Sequence, residues 1–397
     1  MGNFVQTISD RVTIIASDRL WLEDAALQQT KTTAELPGMH RVVGLPDLHP
    51  GRGYPVGAAF FSVGRFYPAL VGNDIGCGMA LWQTDVLAGK ARLDKIDKQI
   101  ANLDDVVDAD EWAALERADP TLATRVAQLD AALRAAGLDA AQLRSLGTIG
   151  KGNHFAELQV VDEVADADAL AQAGVDKKCL QLLVHSGSRG LGQLILRSHV
   201  DAFSHAGLPE GGADAVAYLA QHAAALQYAQ LNRAVIAARI FHRLRCKGKL
   251  VLDVNHNTVM PACIDGQHGW LHRKGATPSD QGLVMLPGSR DDFSYLLAPV
   301  RENGPVSLHS LAHGAGRKWQ RTDCKGRLLN IATPSQLSRT SMGGRVICND
   351  RALIYEEAPQ AYKNVDSVLA CLVGAGLAQV VSRSKPVLTY KTRGECC

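Results

Sequence analysis

Asn73-Asp74-Ile75-Gly76-Cys77-Gly78-Met79 is the stretch on which the reading of this chain turns. It carries one carboxylate and one thiol, with glycines at 76 and 78 on either side of the thiol. Glycine has no Cβ, so the backbone bends tightly there and another group can approach closely. The preceding Pro68-Ala69-Leu70-Val71 reads as a short buried strand, so the stretch is a strand-to-turn corner. At such a corner Asp74 and Cys77 are close enough to bind one cation. A buried free cysteine in an ordinary turn accounts for the same residues. Four histidine-bearing turns further along change the balance.

Leu146-Gly147-Thr148-Ile149-Gly150-Lys151-Gly152-Asn153-His154 is a glycine-rich loop whose backbone amides suit a phosphate. It is not a P-loop, because no Gly-Lys-Ser/Thr closes it. Leu182-Leu183-Val184 predicts a buried strand ending in His185-Ser186-Gly187-Ser188-Arg189-Gly190, with a helix from about 191 to 205. Strand C-termini facing helix N-termini favour anions, and Arg189 is placed to grip a phosphate. Lys249-Leu250-Val251-Leu252-Asp253-Val254-Asn255-His256-Asn257 repeats the design. With Asp74 and Cys77, His154, His185 and His256 match a two-metal ligand set sharing one thiolate. Ligand softness alone favours zinc. In Leu308-His309-Ser310-Leu311-Ala312-His313-Gly314-Ala315-Gly316-Arg317, His313 sits against glycines and an arginine, as a nucleophile or base beside a phosphate would.

Around these motifs, Val42 to Gly53 has two prolines and three glycines and reads as a loop carrying Asp47 and His49. Val12–Ala16 and Gly57–Val63 read as strands, and Trp21–Ala34 as a helix. Residues 91–146 show apolar positions at helical spacing (Ile96, Ile100, Leu103; Leu122, Val126, Leu129, Leu133) with a break at Asp119-Pro120, predicting two or three helices in an acidic segment. Residues 214–245 predict a long helix, basic at its end (Arg239, Arg243, Arg245) as the helix dipole prefers.

The chain has 397 residues, 46% hydrophobic and 21% charged, enough for one large domain or two. No apolar run reaches the roughly 20 residues of a membrane span, and the N-terminus lacks a secretory pattern, so the expected location is cytoplasmic. Nine cysteines without any C-x-x-C exclude a zinc ribbon and argue against a disulfide framework; Cys396 and Cys397 read as exposed free thiols. Residues 1–176 hold 15 basic and 25 acidic side chains, and residues 177–397 hold 27 and 15. The basic part suits a polyanion such as nucleic acid or nucleotide phosphate, or a plain solvated surface.

The ordered set Pro46-Asp47-Leu48-His49, Asp74-Ile75-Gly76-Cys77-Gly78-Met79, Gly152-Asn153-His154-Phe155, His185-Ser186-Gly187-Ser188-Arg189-Gly190, His256-Asn257, Arg273-Lys274-Gly275-Ala276-Thr277, Pro287-Gly288-Ser289 and His313-Gly314-Ala315-Gly316-Arg317 resembles the RtcB family of GTP-dependent RNA ligases. The compact length and the Thr389-Tyr390-Lys391 ending resemble the short bacterial branch found beside a peptide-release-factor homologue. The resemblance implies one α+β domain over 1–397, with the acidic helical segment inside it and a central dinuclear metal and nucleotide cleft. It implies two manganese ions, one held by Asp74, Cys77 and His154, the other by Cys77, His185 and His256. Manganese ordinarily prefers oxygen ligands, so this assignment rests on the resemblance alone.

It further implies that His313 becomes guanylylated by GTP. RNA with a 3′-phosphate, or a 2′,3′-cyclic phosphate opened to one, is then joined to a 5′-hydroxyl end. GTP contacts carry over to Asn153, His154, Phe155, Ala156, Glu157, His256, Asn257, Pro287, Gly288, Ser289, Arg290, Ser294, His313, Gly314, Ala315, Gly316 and Lys391, and substrate contacts to Asp47 and Arg189. Two positions depart from the family: Met usually stands where Arg290 does, and Thr392 to Cys397 follow the final lysine. Lys391 lies five residues after Pro386, the family spacing, and is preferred to Lys385. A dinuclear phosphoesterase acting on RNA phosphate ends, and a non-catalytic RNA-end-binding protein, are the competing readings.

Overall fold

Apolar runs alternating with glycine-rich corners assemble two large sheets that are almost wholly antiparallel, with two small two-stranded sheets beside them. The computed structural model describes residues 3–100 and 102–394; Cys396 and Cys397 lie outside the described residues. The first sheet has six strands in the order Val5–Ser9, Val12–Ile15, Met39–His49, Val56–Ser62, Gln267–Lys274, Asn257–Ile264. Its only parallel pairing joins Val12–Ile15 to Met39–His49. The second has eight strands: Gly248–Asn255, Gly78–Leu87, Cys179–Ser186, Phe155–Val164, Ala378–Thr392, Ser294–Pro299 and Val284–Pro287 in order, with Arg345–Cys348 parallel beside Ala378–Thr392. Mostly antiparallel sheets with helices packed against them make this an α+β fold, as expected.

The second sheet is covered on both faces, which is why its strands read as continuous apolar runs rather than alternating ones. Every residue of Cys179–Ser186 is buried. Ile236, Ala237 and Ile240 of the helix Ala213–Leu244 pack with Leu158, Leu182 and Val184 on one face. On the other, Met79, Leu81, Leu183, Val254 and Val381 cluster with Leu170 of the helix Ala167–Gln172. The acidic segment forms the helices Leu93–Ile100, Ala109–Ala118 and Thr121–Ala135, broken at Asp119-Pro120. Among the described residues, no helix is long and apolar enough to cross a membrane.

Three expectations need correction. Pro68–Val71 is a single helical turn, not a strand. Proline at its start presets the helical φ, and Gly72 at φ +86° ends it. Asp47 and His49 stand on the strand Met39–His49 rather than in a loop. Pro46 cannot donate to a ladder, and the pairing with Val56–Ser62 shifts register between Gly44 and His49 around it. Thirdly, Arg239 and Arg243 do more than complement the helix dipole. They reach sideways to Glu111 (3.0 and 2.8 Å), and Arg239 also donates to Gly147 O (2.6 Å), fastening the acidic helices to the long one.

Strand register gathers the motifs. Gly78 pairs with both Ser186 and Asn255, Met79 with His185, and Phe155 with His185. Cys77, His185, His256 and His154 therefore lie at one end of four neighbouring strands.

Candidate active site

At that end the donor atoms turn toward one another. Cys77 Sγ lies 3.4 Å from His154 Nε2 and 3.1 Å from His185 Nε2. His185 Nε2 lies 3.3 Å from His256 Nε2, and His154 Nε2 lies 2.7 Å from Asp74 Oδ2. Two sets result, Asp74–Cys77–His154 and Cys77–His185–His256, with ligand atoms inside each set within 4.8 Å of one another. Cys77 belongs to both.

The chemistry of this donor set fits cations. Asn153 O accepts from His185 Nδ1 (3.2 Å), so the ring proton sits on Nδ1 and Nε2 is a bare lone pair. That lone pair meets a second imidazole nitrogen and a sulfur, so the donor atoms converge on a point that a cation can occupy in place of the hydrogen bonds between them. Burial, with the neighbouring histidines, pushes His185 and His256 well below the ordinary histidine pKa, so both rings are neutral ligands. Burial and Asp74 push the Cys77 thiol up; a cation on the sulfur reverses that. Burial also opposes ionisation of Asp74, but the His154 imidazole overcomes it and holds the carboxyl below its usual range.

One buried arginine fixes these strand ends. Arg233, on the helix Ala213–Leu244, donates to Gly76 O and Ser186 O (2.8 Å each), to Asp253 Oδ1 (2.7 Å) and to Asn255 Oδ1 (2.6 Å). Three of these acceptors, on Gly76, Ser186 and Asn255, adjoin Cys77, His185 and His256 in sequence. Next to it, Asn232 accepts from Gly147 N–H (2.8 Å) and donates to Ser186 Oγ (3.0 Å), anchoring the glycine loop.

His313 arrives from the other sheet's side. Its ring centroid lies 4.8 Å from that of His256. Asp47 Oδ2 accepts from the His313 backbone N–H (3.0 Å) and from Nδ1 (2.6 Å). A carboxylate only accepts, so Nδ1 carries a proton, and in the neutral ring Nε2 is the nitrogen with the lone pair. Gly316, at φ +72°, lets its turn close on Asp47; a Cβ there would stand 2.3 Å from Asp47 O. Lys363 Nζ donates to Pro46 O (3.0 Å) and Leu48 O (2.8 Å), holding the backbone on either side of Asp47. Asp47, expected to touch substrate, thus stands behind His313. His49 does face the cleft, with Nδ1 on Asp47 O at 2.9 Å; burial lowers its pKa to about 3, so it is neutral.

Beyond His313 opens a cleft whose empty space, with the open solvent at its mouth included, is about 810 Å³. Of the residues expected to hold a nucleotide, Asn153, Phe155, Glu157, Pro287, Gly288, Ser289, Arg290, Gly314, Ala315, Gly316 and Lys391 line it along with His313. His154 and His256 belong to the cation sets. Ala156 is buried in the sheet, and Ser294 Oγ accepts from Gln159 Nε2 (3.0 Å) away from the lining. Asn257 ties the corner instead, donating to Asp74 O (2.9 Å) and accepting from Gly275 N–H (2.7 Å). Arg189 caps the helix Gly190–Phe203 at φ +57°, its Nε donating to Thr148 Oγ1 (3.3 Å). A Cβ on Gly150, at φ +108°, would stand 1.9 Å from Arg189 Nη1, so the loop glycine makes room for this guanidinium.

Sequence reading missed Arg321, Glu357, Tyr362 and Thr389, which also line the cleft. Glu357 accepts from Arg317 (3.1 Å), Arg321 (2.5 Å), Tyr362 (2.6 Å) and Lys391 (3.3 Å). Burial opposes its charge, but Lys391 and the two arginines prevail and hold it well below the carboxylate range. The signal available was Glu357-Ala358-Pro359-Gln360-Ala361-Tyr362-Lys363, a charged and aromatic run around a proline. Glu157 accepts from Thr389 (2.5 Å) and Gln159 (2.7 Å), yet burial raises its pKa to about 7.

Fold and site define an α+β protein that gathers two cation donor sets beside a histidine poised at a cleft. The family model described as tRNA-splicing ligase RtcB matches residues 29–136 and 108–392. The chain is 57% identical over 394 residues to the RNA-splicing ligase RtcB2 of Escherichia coli (strain ATCC 25922), covering 99% of each chain. It is 31% identical to the tRNA-splicing ligase RtcB of Nanoarchaeum equitans, covering 96% of this chain and 95% of that protein. Identity to the RNA-splicing ligase RtcB of Mycobacterium tuberculosis is also 31%, covering 90% and 99%. The chain belongs to the RtcB family.

Proposed function

We propose that this protein is a GTP-dependent RNA ligase, joining RNA 2′,3′-cyclic phosphate or 3′-phosphate ends to 5′-hydroxyl ends through a GMP–histidine intermediate. The observation that carries the reading is the Asp47–His313 pair, set between two cation donor sets and the cleft. Two manganese ions are the proposed occupants, one on Asp74, Cys77 and His154, the other on Cys77, His185 and His256; bound there, they supply Lewis-acid stabilisation to phosphate oxygens.

The chain's own residues do the rest. Asp47 holds the His313 ring in one tautomer and presents Nε2 to the α-phosphorus of GTP. The N–P bond forms as pyrophosphate leaves, and the ring becomes cationic with Asp47 facing it, the logic by which a buried carboxylate supports a catalytic imidazole elsewhere. Phe155 and Tyr362 give the base aromatic surfaces, and Glu157 and Lys391 give it an acceptor and a donor. The RNA 3′-phosphate then takes the GMP from His313, freeing the imidazole. The 5′-hydroxyl attacks that activated phosphorus and GMP departs. Arg189, at a helix start beside the Asp74 set, is the proposed grip on an RNA phosphate.

The reading predicts an acid-labile protein–guanylate bond when the full chain meets labelled GTP and manganese. His313→Ala should lose the adduct and keep its metal. A wild-type protein that cleaves RNA phosphate ends but never forms the adduct would make it a phosphoesterase instead. Nicked RNA with cyclic-phosphate and 5′-hydroxyl ends should be sealed, and RNA with 3′-hydroxyl and 5′-phosphate ends should not. The finer proposal is repair of broken ribosomal or transfer RNA in the cytoplasm, in step with a release-factor homologue. It rests on the resemblance to the short bacterial branch and predicts preferential sealing on ribosomes.

A further inference from the structure

The sheet that gathers the donor sets at one end carries unpaired positive charge at the other. Gly78, His185 and Asn255 mark the cation end of the strands Gly78–Leu87, Cys179–Ser186 and Gly248–Asn255, so Leu87, Cys179 and Gly248 mark the far end. Lys177 and Lys178 come just before Cys179, and Arg245, Lys247 and Lys249 cluster around Gly248. Backbone bonds draw these stretches together. Asp85 N–H donates to Lys247 O (3.1 Å), and Ala88 N–H donates to Lys178 O (2.8 Å). A Cβ on Gly174 would stand 3.8 Å from Lys249 Nζ, so this amine lies toward the loop that carries Lys177 and Lys178. Two surface grooves that meet at Gln99 continue the face, one past Arg245 and Cys246, the other past Lys90, Arg92 and Lys95. Lys98 follows on the helix Leu93–Ile100.

All of these cationic side chains are exposed, and none forms an ion pair among the described residues. The acids interspersed with them are engaged elsewhere. Asp85 accepts from Lys247 N–H (2.9 Å) and Asp176 from Lys178 N–H (2.9 Å), while Asp94 and Asp97 pair with Arg345, and Asp97 also with Arg393. Gathered like charges repel one another and attract a polyanion. The composition of the face favours phosphates over a protein partner. Lysines outnumber arginines, and the exposed apolar side chains at these strand ends, Leu87 and Leu250, are not aromatic. Protein interfaces are depleted in lysine and enriched in aromatic rings, whereas mobile ammonium groups suit a phosphate backbone. Eight-residue strands rising about 3.3 Å per residue put the face roughly 25 Å from the donor sets. It therefore lies under the body of an RNA, not at the ends being joined.

We propose that this far-end face is a second RNA-binding surface, holding the phosphate backbone of the substrate's body away from the catalytic cleft. The inference rests on RNA being the substrate and not on the covalent step. One variant neutralises the loop side (Lys177→Gln, Lys178→Gln, Lys247→Gln, Lys249→Gln), and a second the helix side (Lys90→Gln, Arg92→Gln, Lys95→Gln, Lys98→Gln). A control neutralises exposed Arg19, Lys31 and Arg301 on other elements. The full chains, with manganese, meet a nicked RNA hairpin of about 15 base pairs on either side of the break, and separate oligonucleotides of about five nucleotides. Hairpin affinity is measured as a function of salt. Each lost phosphate contact makes the log–log slope shallower by roughly 0.7 to 0.9, so two to four lost contacts flatten it by about 1.5 to 3.5 and weaken binding at 0.1 M salt by at least about 30-fold. Guanylylation and sealing of the short pieces should stay at wild-type level. The second variant should shift the slope the same way, which keeps the test open if the first does not fold. A slope that moves no more than in the control overturns the proposal, and so does equal loss on short and long RNA. Unchanged hairpin binding in a variant that self-associates would make the lysines a guard for the exposed edge strand Gly248–Asn255. Unchanged hairpin binding with lost affinity for polyglutamate would make the face a protein surface. Either result overturns the proposal. Wild-type protein that binds the hairpin through this face yet seals neither RNA would refute the ligase reading alone.

Discussion

Replacing Asp47 by Asn keeps the shape of the side chain and removes its charge, which isolates what that carboxylate does. Asp47 Oδ2 accepts from both His313 N–H and Nδ1, while Oδ1 is buried with no partner among the described residues. An asparagine must present its oxygen to His313 and therefore bury its amide where Oδ1 was. The orphaned donor costs about 1–3 kcal/mol of stability, so the variant should melt lower than wild type. The larger effect is on rate. As Nε2 bonds to phosphorus the ring gains a positive charge, with the Nδ1···Oδ2 separation at 2.6 Å. Charge centres about 4 Å apart at an effective dielectric of about 20 interact by about 4 kcal/mol. At roughly 1.4 kcal/mol per tenfold, adduct formation should slow by about a thousandfold. Affinity for GTP and metal content should hold, because Asp47 is in neither cation set and does not line the cleft. Rapid-quench measurement of guanylate formation, with calorimetric GTP binding and metal analysis, decides the matter. A rate within tenfold of wild type would refute the account of Asp47, and loss of metal would show that it acts through the cation sets instead.

Three further outcomes follow from the same geometry. Cys77→Ala should lose more metal than His185→Ala, because Cys77 alone is shared by the two donor sets; equal losses on metal analysis would argue against bridging. Arg189→Ala should slow joining by roughly 10-fold or more, as loss of a charge-assisted phosphate bond implies, and leave guanylylation intact, since Arg189 lies beside the Asp74 set and outside the cleft lining; equal failure of both steps in a folded variant would contradict it. Burial raises Glu157 from its ordinary 4.5 to about 7, so the folded state binds more protons than the unfolded state between those values, and the cost of its charge is fully felt only above about 7. Glu157→Gln should therefore melt higher than wild type at pH 8, with the gap closing as pH falls through that window; a pH-independent gap in thermal melts would show that Glu157 is not the titrating group.

The histidines of the cation sets were legible because His185 and His256 end apolar runs at polar corners and His154 closes a glycine-rich loop, and both are local signals. The Asp47–His313 pair was not, since 266 residues separate its members and each has its own local explanation. Asp47 was misplaced further by Pro46 and the glycines around it, which suggest a loop although the strand carries them through a register shift. The strand Ala378–Thr392 escaped notice for a similar reason. Pro386 interrupts its pattern, and the pairing with Phe155–Val164 shifts beside it. Glu357 and Tyr362 each follow directly on a short helical turn, Leu353–Glu356 and Pro359–Ala361, with no periodicity to reveal them.

Arg233 shows the limit of periodicity most plainly. On a helix read as Ala-rich and then basic, an arginine in the middle reads as a surface residue, yet this one is fully buried. What keeps it inside is the chain it meets: two backbone carbonyls and two side-chain oxygens on strands that register has already brought side by side. Paired charge in a core contributes little net stability but holds geometry, because removing one partner leaves the others exposed to the full cost of burial. Here that geometry is the spacing of the residues next to Cys77, His185 and His256. The cation sets are thus positioned from behind by a helix that contributes no ligand to them, and neither the helix nor the strands could have announced it alone.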